Sequence, residues 1–283
     1  MVFAKVSVHG GHSGTYCSHA KDPLEDIVQR YIEQGFEWCC LTEHIPPINP
    51  SLMPPEEKSE GYDCDALHTR FDAYFHEARL LQKKYEHQID IYVGFETEAF
   101  SGYEVLVQSL IDRHKPQMIV GSVHHLKDFM IDGPRDQYEK ALDVFGNIES
   151  LYCAYFDKQL ELINRFRPAV VGHFDLIRMH DPQYVERWCV PEIRDRALRN
   201  LKRIKELDLV LDLNVRSYTK KANEPYLSEP WLRVAIREGI KIALGDDSHG
   251  VMNVGQYLEE GVAFLRKLGG KTTWAKPSLW EYD

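Results

Sequence analysis

The 283-residue sequence predicts one α/β domain, a barrel of seven parallel strands with metal-binding residues at the C-terminal strand ends. Three observations carry that expectation. Seven short apolar runs alternate with segments of helical periodicity: Val6–Val8, Trp38–Leu41, Ile91–Phe95, Ile119–Val123, Ala169–Val171, Leu209–Leu213 and Ile240–Leu244. Each run leads into a residue that can bind a metal or sit beside one. These are His9 and His12, His44, Glu96, His124, His173, Asn214, then Asp247 with His249. The length also suits a single barrel. Because such a barrel collects its strand ends on one face, residues distant in sequence would share one polar basin.

The elements follow in order. After Val6–Val8, Asp22-Pro23 signals a helix start, Ile27, Tyr31 and Ile32 mark an apolar face, and Gly35 ends the helix. Past Trp38–Leu41, five prolines between Pro46 and Pro55 make 46–63 an irregular excursion, a lid or wall at the strand ends or a passive insertion. Asp65–His87 has helical spacing at Leu67, Phe71, Tyr74, Phe75, Ala78, Leu81 and Tyr85. Tyr103–His114 is the next helix, 128–147 is mixed around Gly133-Pro134, and Ile148–Phe166 is strongly helical. Pro191–Leu207 is helical, Ser228-Glu229-Pro230 caps a helix reaching about Glu238, and Asn253–Leu268 closes the set. No internal repeat or domain boundary is seen, so 1–283 reads as one domain with 271–283 as a C-terminal extension.

Composition narrows the class. With 34 basic against 44 acidic residues the net charge is −10, and no long basic run is present, so nucleic acid is not an expected partner. No apolar stretch reaches the ~20 residues of a membrane span, and the N-terminal residues lack the apolar region of a signal peptide. A cytoplasmic, non-membrane protein is therefore expected. Its six cysteines form no CxxC pair and read as thiols. Oligomeric state is not legible.

The chemistry lies in the strand-end clusters. His9-Gly10-Gly11-His12 with His19, Thr42-Glu43-His44, Gly94-Phe95-Glu96, Gly121-Ser122-Val123-His124-His125, Val171-Gly172-His173-Phe174-Asp175 and Asp246-Asp247-Ser248-His249 are each unremarkable alone. A single histidine of this kind is more often structural than a ligand. Together they place six of the 13 histidines at or just after predicted strand ends, which points to a metal site. His68, His76, His87, His114 and His180 read as surface or structural residues. The absence of GxxxxGK[ST], GxSxG and HExxH removes the main support for NTPase, serine-hydrolase and zincin readings.

In order and composition, these motifs resemble the polymerase-and-histidinol-phosphatase (PHP) family from His9 to about Gly255, and Gly-Ser-Val-His-His and Val-Gly-His-Phe-Asp resemble its histidinol-phosphate phosphatase branch. The resemblance implies a distorted (β/α)7 TIM-like barrel holding two to three divalent ions, zinc foremost with iron or manganese as alternatives. Carried over by motif, His9 or His12, or both, would hold one ion with Glu96 and Asp247. Glu96, His124 and His173 would hold a second, with Glu96 bridging, and His19, His44 and His249 a third. Glu96, Asp247 and His249 would carry the catalytic roles. One departure stands out: the family begins His-x-His, whereas here Gly10 falls where its first histidine is expected. A bulged turn through Gly10-Gly11 would let His9 and His12 reach the same ion.

The expected function is hydrolysis of a small phosphorylated substrate, L-histidinol phosphate, in histidine biosynthesis. Arg178 and Arg216 are candidate substrate contacts, and Glu43, Asp175 and His125 could bind the substrate or orient ligand histidines. Two other readings remain: a related phosphoesterase acting on nucleotides or nucleic-acid ends, and a metal-binding regulatory barrel without turnover.

Overall fold

The computed structural model describes residues 3–282. Seven parallel strands form one sheet: β1 (Lys5–Ser7), β2 (Phe36–His44), β3 (Asp90–Glu96), β4 (Met118–Gly121), β7 (Val170–Val171), β8 (Val210–Asn214) and β9 (Lys241–Gly245), in that spatial order. The two edges meet through Val8 N donating to Leu244 O at 2.8 Å and Asp247 N donating to His9 O at 2.8 Å, so the barrel is nearly closed. Each strand of this sheet overlaps one of the seven apolar runs, because a strand covered on both faces reads as a near-continuous apolar run.

Helices cover the outside. These are α1 (Leu24–Glu33), α3 (Cys64–Lys84), α4 (Tyr103–His114), α6 (Ile148–Phe166), α8 (Pro191–Glu206), α9 (Glu229–Glu238) and α10 (Leu258–Lys267). None of the described helices is long and apolar enough to cross a membrane. The Pro-rich excursion folds into a 3-10 turn at Pro50–Leu52 and the short α2 (Pro55–Ser59), and another short helix, α7 (Tyr184–Arg187), precedes α8.

Four details depart from the sequence reading. Residues 125–130 form a small antiparallel hairpin, β5 (His125–Leu126) with β6 (Phe129–Met130), and α5 (Arg135–Phe145) follows it. The Ser228 hydroxyl does not cap α9; it donates to the Asp175 carboxylate instead. Asp22 does not cap α1, since its carboxylate accepts from Val251 N at 2.8 Å. The last helix starts only at Leu258, because Gly255 (φ 70°) and Tyr257 (φ 62°) interrupt the helical path.

The C-terminal segment docks across the N-terminal ends of the strands, opposite the polar basin. Trp274 Nε1 donates to Ala4 O at 2.7 Å, Lys276 Nζ lies 2.9 Å from Asp90 Oδ2, and Trp280 N donates to Gln117 O at 2.7 Å. All six cysteines are thiols.

Candidate metal centre

Parallel pairing puts the strand ends at one height: His44 is registered with Glu96, and Glu96 with Val120. The loop after β1 is stitched to its neighbours, with His12 N donating to Ser248 O at 2.9 Å and Thr42 N to Gly10 O at 3.0 Å. The two glycines are required. A Cβ at Gly10 would fall 2.5 Å from Asp246 Oδ1 and 2.7 Å from the Tyr31 hydroxyl. Gly11 is left-handed at φ 77°, and a Cβ there would meet Leu41 Cδ2 at 2.6 Å. This turn brings both His9 and His12 inside, each fully buried.

Glu96 lies at the centre. Its Oε2 is 3.1 Å from His9 Nε2, 3.8 Å from His12 Nε2 and 3.2 Å from His44 Nδ1. Its Oε1 is 2.9 Å from His173 Nε2 and 3.3 Å from His124 Nε2. Asp247 Oδ1 is 3.6 Å from His12 Nε2, and His249 stacks on His12 with ring centroids 4.3 Å apart. His19 Nε2 is 3.3 Å from His44 Nε2, at the more exposed edge. The nine expected ligands thus form one continuous cluster. Groups of three closely spaced donors within and around it include His9–His12–Glu96, His9–His173–Asp247, His12–His44–His249, Cys17–His19–His44 and His44–Glu98–His124. His12 therefore reaches towards the His44–His249 group as well as towards Glu96, and His19 sits beside Cys17 with its ring centroid 5.0 Å from those of both His44 and His249.

Two carboxylates to which the sequence reading gave no role orient the rings. Asp212 Oδ2 lies 2.9 Å from His9 Nδ1, and Glu98 lies 2.7 Å from His44 Nδ1 and 3.0 Å from His124 Nδ1. Each had a signal. Glu98 follows Glu96 by two residues, the spacing that returns to the same side of an extended chain. Asp212 is a carboxylate inside an apolar strand, where it must find a partner. Glu43 does the same for His12, with Oε1 at 3.3 Å from Nδ1, and also accepts from Ser13 N and His44 N.

The electrostatics favour a bound cation. Burial disfavours charge on His9, yet Glu96 and Asp247 prevail and hold its pKa well above the ordinary value. Burial likewise opposes charge on His44, but Glu96 and Glu98 push it up to about 9. Despite burial, His9 and its neighbours hold Glu96 well below the carboxylate range, and His9, Arg216 and His12 bring Asp247 to about 2. Burial, then Arg216 and neighbouring imidazoles, push His249 well below its usual value, leaving it neutral and able to ligate. The donor set also fits divalent transition metals directly. His9 Nε2 and His12 Nε2 are buried without a hydrogen-bond partner, both aimed at Glu96, while their Nδ1 atoms are held by carboxylates. Imidazoles fixed from behind by carboxylates are the arrangement metal sites use.

The cluster floors a pocket of about 640 Å³. Arg216 and His125 line it; Arg216 Nη1 donates to Asp247 O at 2.8 Å, and His125 Nδ1 lies 3.2 Å from Glu98 O. Glu43 also lines it, but its oxygens are committed to His12 and to backbone amides. Two expected substrate contacts are corrected. Asp175 is fully buried and holds Leu227 N at 2.7 Å and Ser228 N at 2.9 Å. Arg178, also buried, donates to the carbonyls of Glu224 and Pro225 at 3.1 and 2.7 Å and stacks on Tyr184 and Tyr226. The 3-10 turn Leu176–His180 points both side chains at the 224–228 loop and away from the pocket lining. Conversely, His180 does line the pocket, with Nε2 2.9 Å from Gly133 O. His114 is structural as expected, stacked on Phe75 with centroids 4.4 Å apart.

Residues 10–216 match the model of the PHP domain. The chain belongs to the PHP family. The protein named probable histidinol-phosphatase of Schizosaccharomyces pombe is 34% identical over 93% of this chain and 87% of its own length. The histidinol-phosphatase of Saccharomyces cerevisiae is 29% identical over 87% of this chain and 84% of its own. A crystal structure of histidinol phosphate phosphatase from Lactococcus lactis, complexed with zinc, L-histidinol and phosphate, superposes with a TM-score of 0.71. It is 21% identical and covers 99% of this chain and 100% of that one. This PHP chain therefore shares that barrel.

Proposed function

We propose that this chain is a metal-dependent phosphomonoesterase that hydrolyses L-histidinol phosphate to L-histidinol and phosphate. The observation that carries the reading is the buried Glu96 carboxylate with imidazole nitrogens of His9, His12, His124 and His173 converging on it at the floor of a pocket. Support for the substrate comes from the relatives that match most of the chain and carry the histidinol-phosphatase name.

Two to three divalent ions, zinc foremost, would be held there. His9, His12, Glu96 and Asp247 form one ligand set and Glu96, His124 and His173 another. His19, His44 and His249 form the third, in reach of His12. Such ions neutralise the phosphate dianion and make water a nucleophile near neutral pH. The chain supplies the rest. Asp212, Glu43 and Glu98 fix the ring orientations. Arg216, which lines the pocket beside Asp247, adds a cation that would face the phosphate. Ile45, Pro46, Leu52, Phe71, Phe100 and Leu176 provide an apolar wall that limits water around the reacting group. The cytoplasm and a role in histidine biosynthesis complete the proposal.

A phosphate-release screen over L-histidinol phosphate, nucleotides and oligonucleotides, with each metal supplied, tests it. Turnover concentrated on L-histidinol phosphate is expected. Release from nucleotides or oligonucleotides alone would overturn the substrate, and no release under any metal would overturn the enzyme.

A further inference from the structure

Seven carboxylates line the pocket: Glu43, Glu56, Glu57, Glu96, Glu98, Asp132 and Asp247. Five have identifiable work. Glu96, Glu98 and Asp247 face the imidazole cluster. Glu43 holds His12 and two amides, and Glu57 holds Ser18 and Arg70. Glu56 is exposed on α2 at the rim. Asp132 is different. Its Oδ1 is buried and has no hydrogen-bond partner, although the side chain as a whole is 25% exposed. Its Oδ2 is 4.0 Å from His124 Nε2, and neither oxygen has a Lys or Arg partner among the described residues.

The placement is built into the fold. The β5–β6 hairpin turns the chain back on itself, and Ile131 N donates to His124 O at 2.8 Å. Asp132 is thereby set beside His124, at the side of the metal cluster. A buried carboxylate oxygen without a donor is costly, so a ligand that brings N–H groups and positive charge would be favoured there.

We propose that Asp132 binds the ammonium group of the substrate and selects phosphate esters of amino alcohols. The inference rests on the phosphatase reading above. In L-histidinol phosphate the amine is borne by the carbon next to the ester methylene, so a carboxylate adjacent to the metal cluster is placed to meet it while the phosphate faces the cluster. The two carboxylates that the sequence offered as possible substrate contacts are not free for it: the fold turns Asp175 away from the pocket, and the oxygens of Glu43 are already committed.

The test uses metal-loaded full-length protein and the Asp132→Asn variant. It compares L-histidinol phosphate with its deamino analogue by kcat/KM, and L-histidinol with deamino-histidinol by calorimetric binding in the absence of turnover. Metal content is measured alongside. The expected result is that the wild-type preference for the aminated compound falls roughly tenfold or more in both assays, with metal stoichiometry retained; that is about 1.4 kcal/mol, less than for a fully buried charge pair because the Asp132 side chain is 25% exposed. An unchanged preference, whether or not overall activity drops, overturns the proposal. Loss of a metal from the variant also overturns it, by making Asp132 a ligand. Wild-type protein that binds the aminated compound preferentially but releases no phosphate would overturn the phosphatase reading and leave the Asp132 contact standing.

Discussion

His124 and His173 face each other through their Nε2 atoms across 3.1 Å, and Glu96 Oε1 lies within 3.3 Å of both. Two imidazole nitrogens so placed share at most one proton, whereas a cation would satisfy both lone pairs. Glu96 has the same relation to His9 and His12 through its other oxygen. Glu96→Gln should therefore weaken two ion sites together. Elemental analysis is expected to show at least two transition-metal ions per wild-type chain and fewer in the variant, with turnover lower by several orders of magnitude. His68→Ala, on α3 and outside the cluster, should change little. Equal activity in the two variants would remove Glu96 from the centre.

His9 and Asp212 should act as one unit. The Asp212 carboxylate holds His9 Nδ1 at 2.9 Å and leaves Nε2 directed at Glu96. Removing an orienting partner typically lowers metal affinity by about 10–100-fold. Asp212→Asn is expected to fall in that range, and His9→Ala to fall at least as far, in titrations against a competing chelator. If His9→Ala kept wild-type affinity, His12 alone would be serving the ion.

Gly11→Ala tests the departure from His-x-His. The residue combines φ 77° with a Cβ position 2.6 Å from Leu41 Cδ2. Left-handed strain and overpacking together should cost about 2–4 kcal/mol. A lower Tm should accompany weaker metal binding, since the same turn carries His9 and His12. A variant with wild-type Tm would mean that the turn can relax without cost.

Arg178→Met separates a structural from a substrate role. It leaves the Glu224 and Pro225 carbonyls and Asp175 without their cation. Breaking a buried charged pair this way costs about 3–5 kcal/mol. Urea unfolding should therefore show a clear loss of stability. Unchanged stability with a sharply raised KM would instead return Arg178 to the substrate.

The seven barrel strands, their alternation with helices and the imidazole-bearing positions at their ends are legible in the sequence alone. Those features are local. A buried parallel strand must be a short apolar run, and the residue after it must lie on the barrel's C-terminal face. Tertiary structure decided where neighbouring side chains point. Asp175 and Arg178 follow His173 by only two and five residues, yet the 3-10 turn Leu176–His180 turns them onto the 224–228 loop. Asp132 depends on a hairpin two residues per strand, too short to leave a periodic signal. The partnership of His9 with Asp212 spans 203 residues of chain and exists only because β8 and β1 are brought around one barrel. Which imidazoles share an ion is set in the same way, by the barrel's curvature and the Gly10-Gly11 turn. Hydrophobic periodicity records which face of an element is buried and carries no information about which polar groups meet beyond its ends.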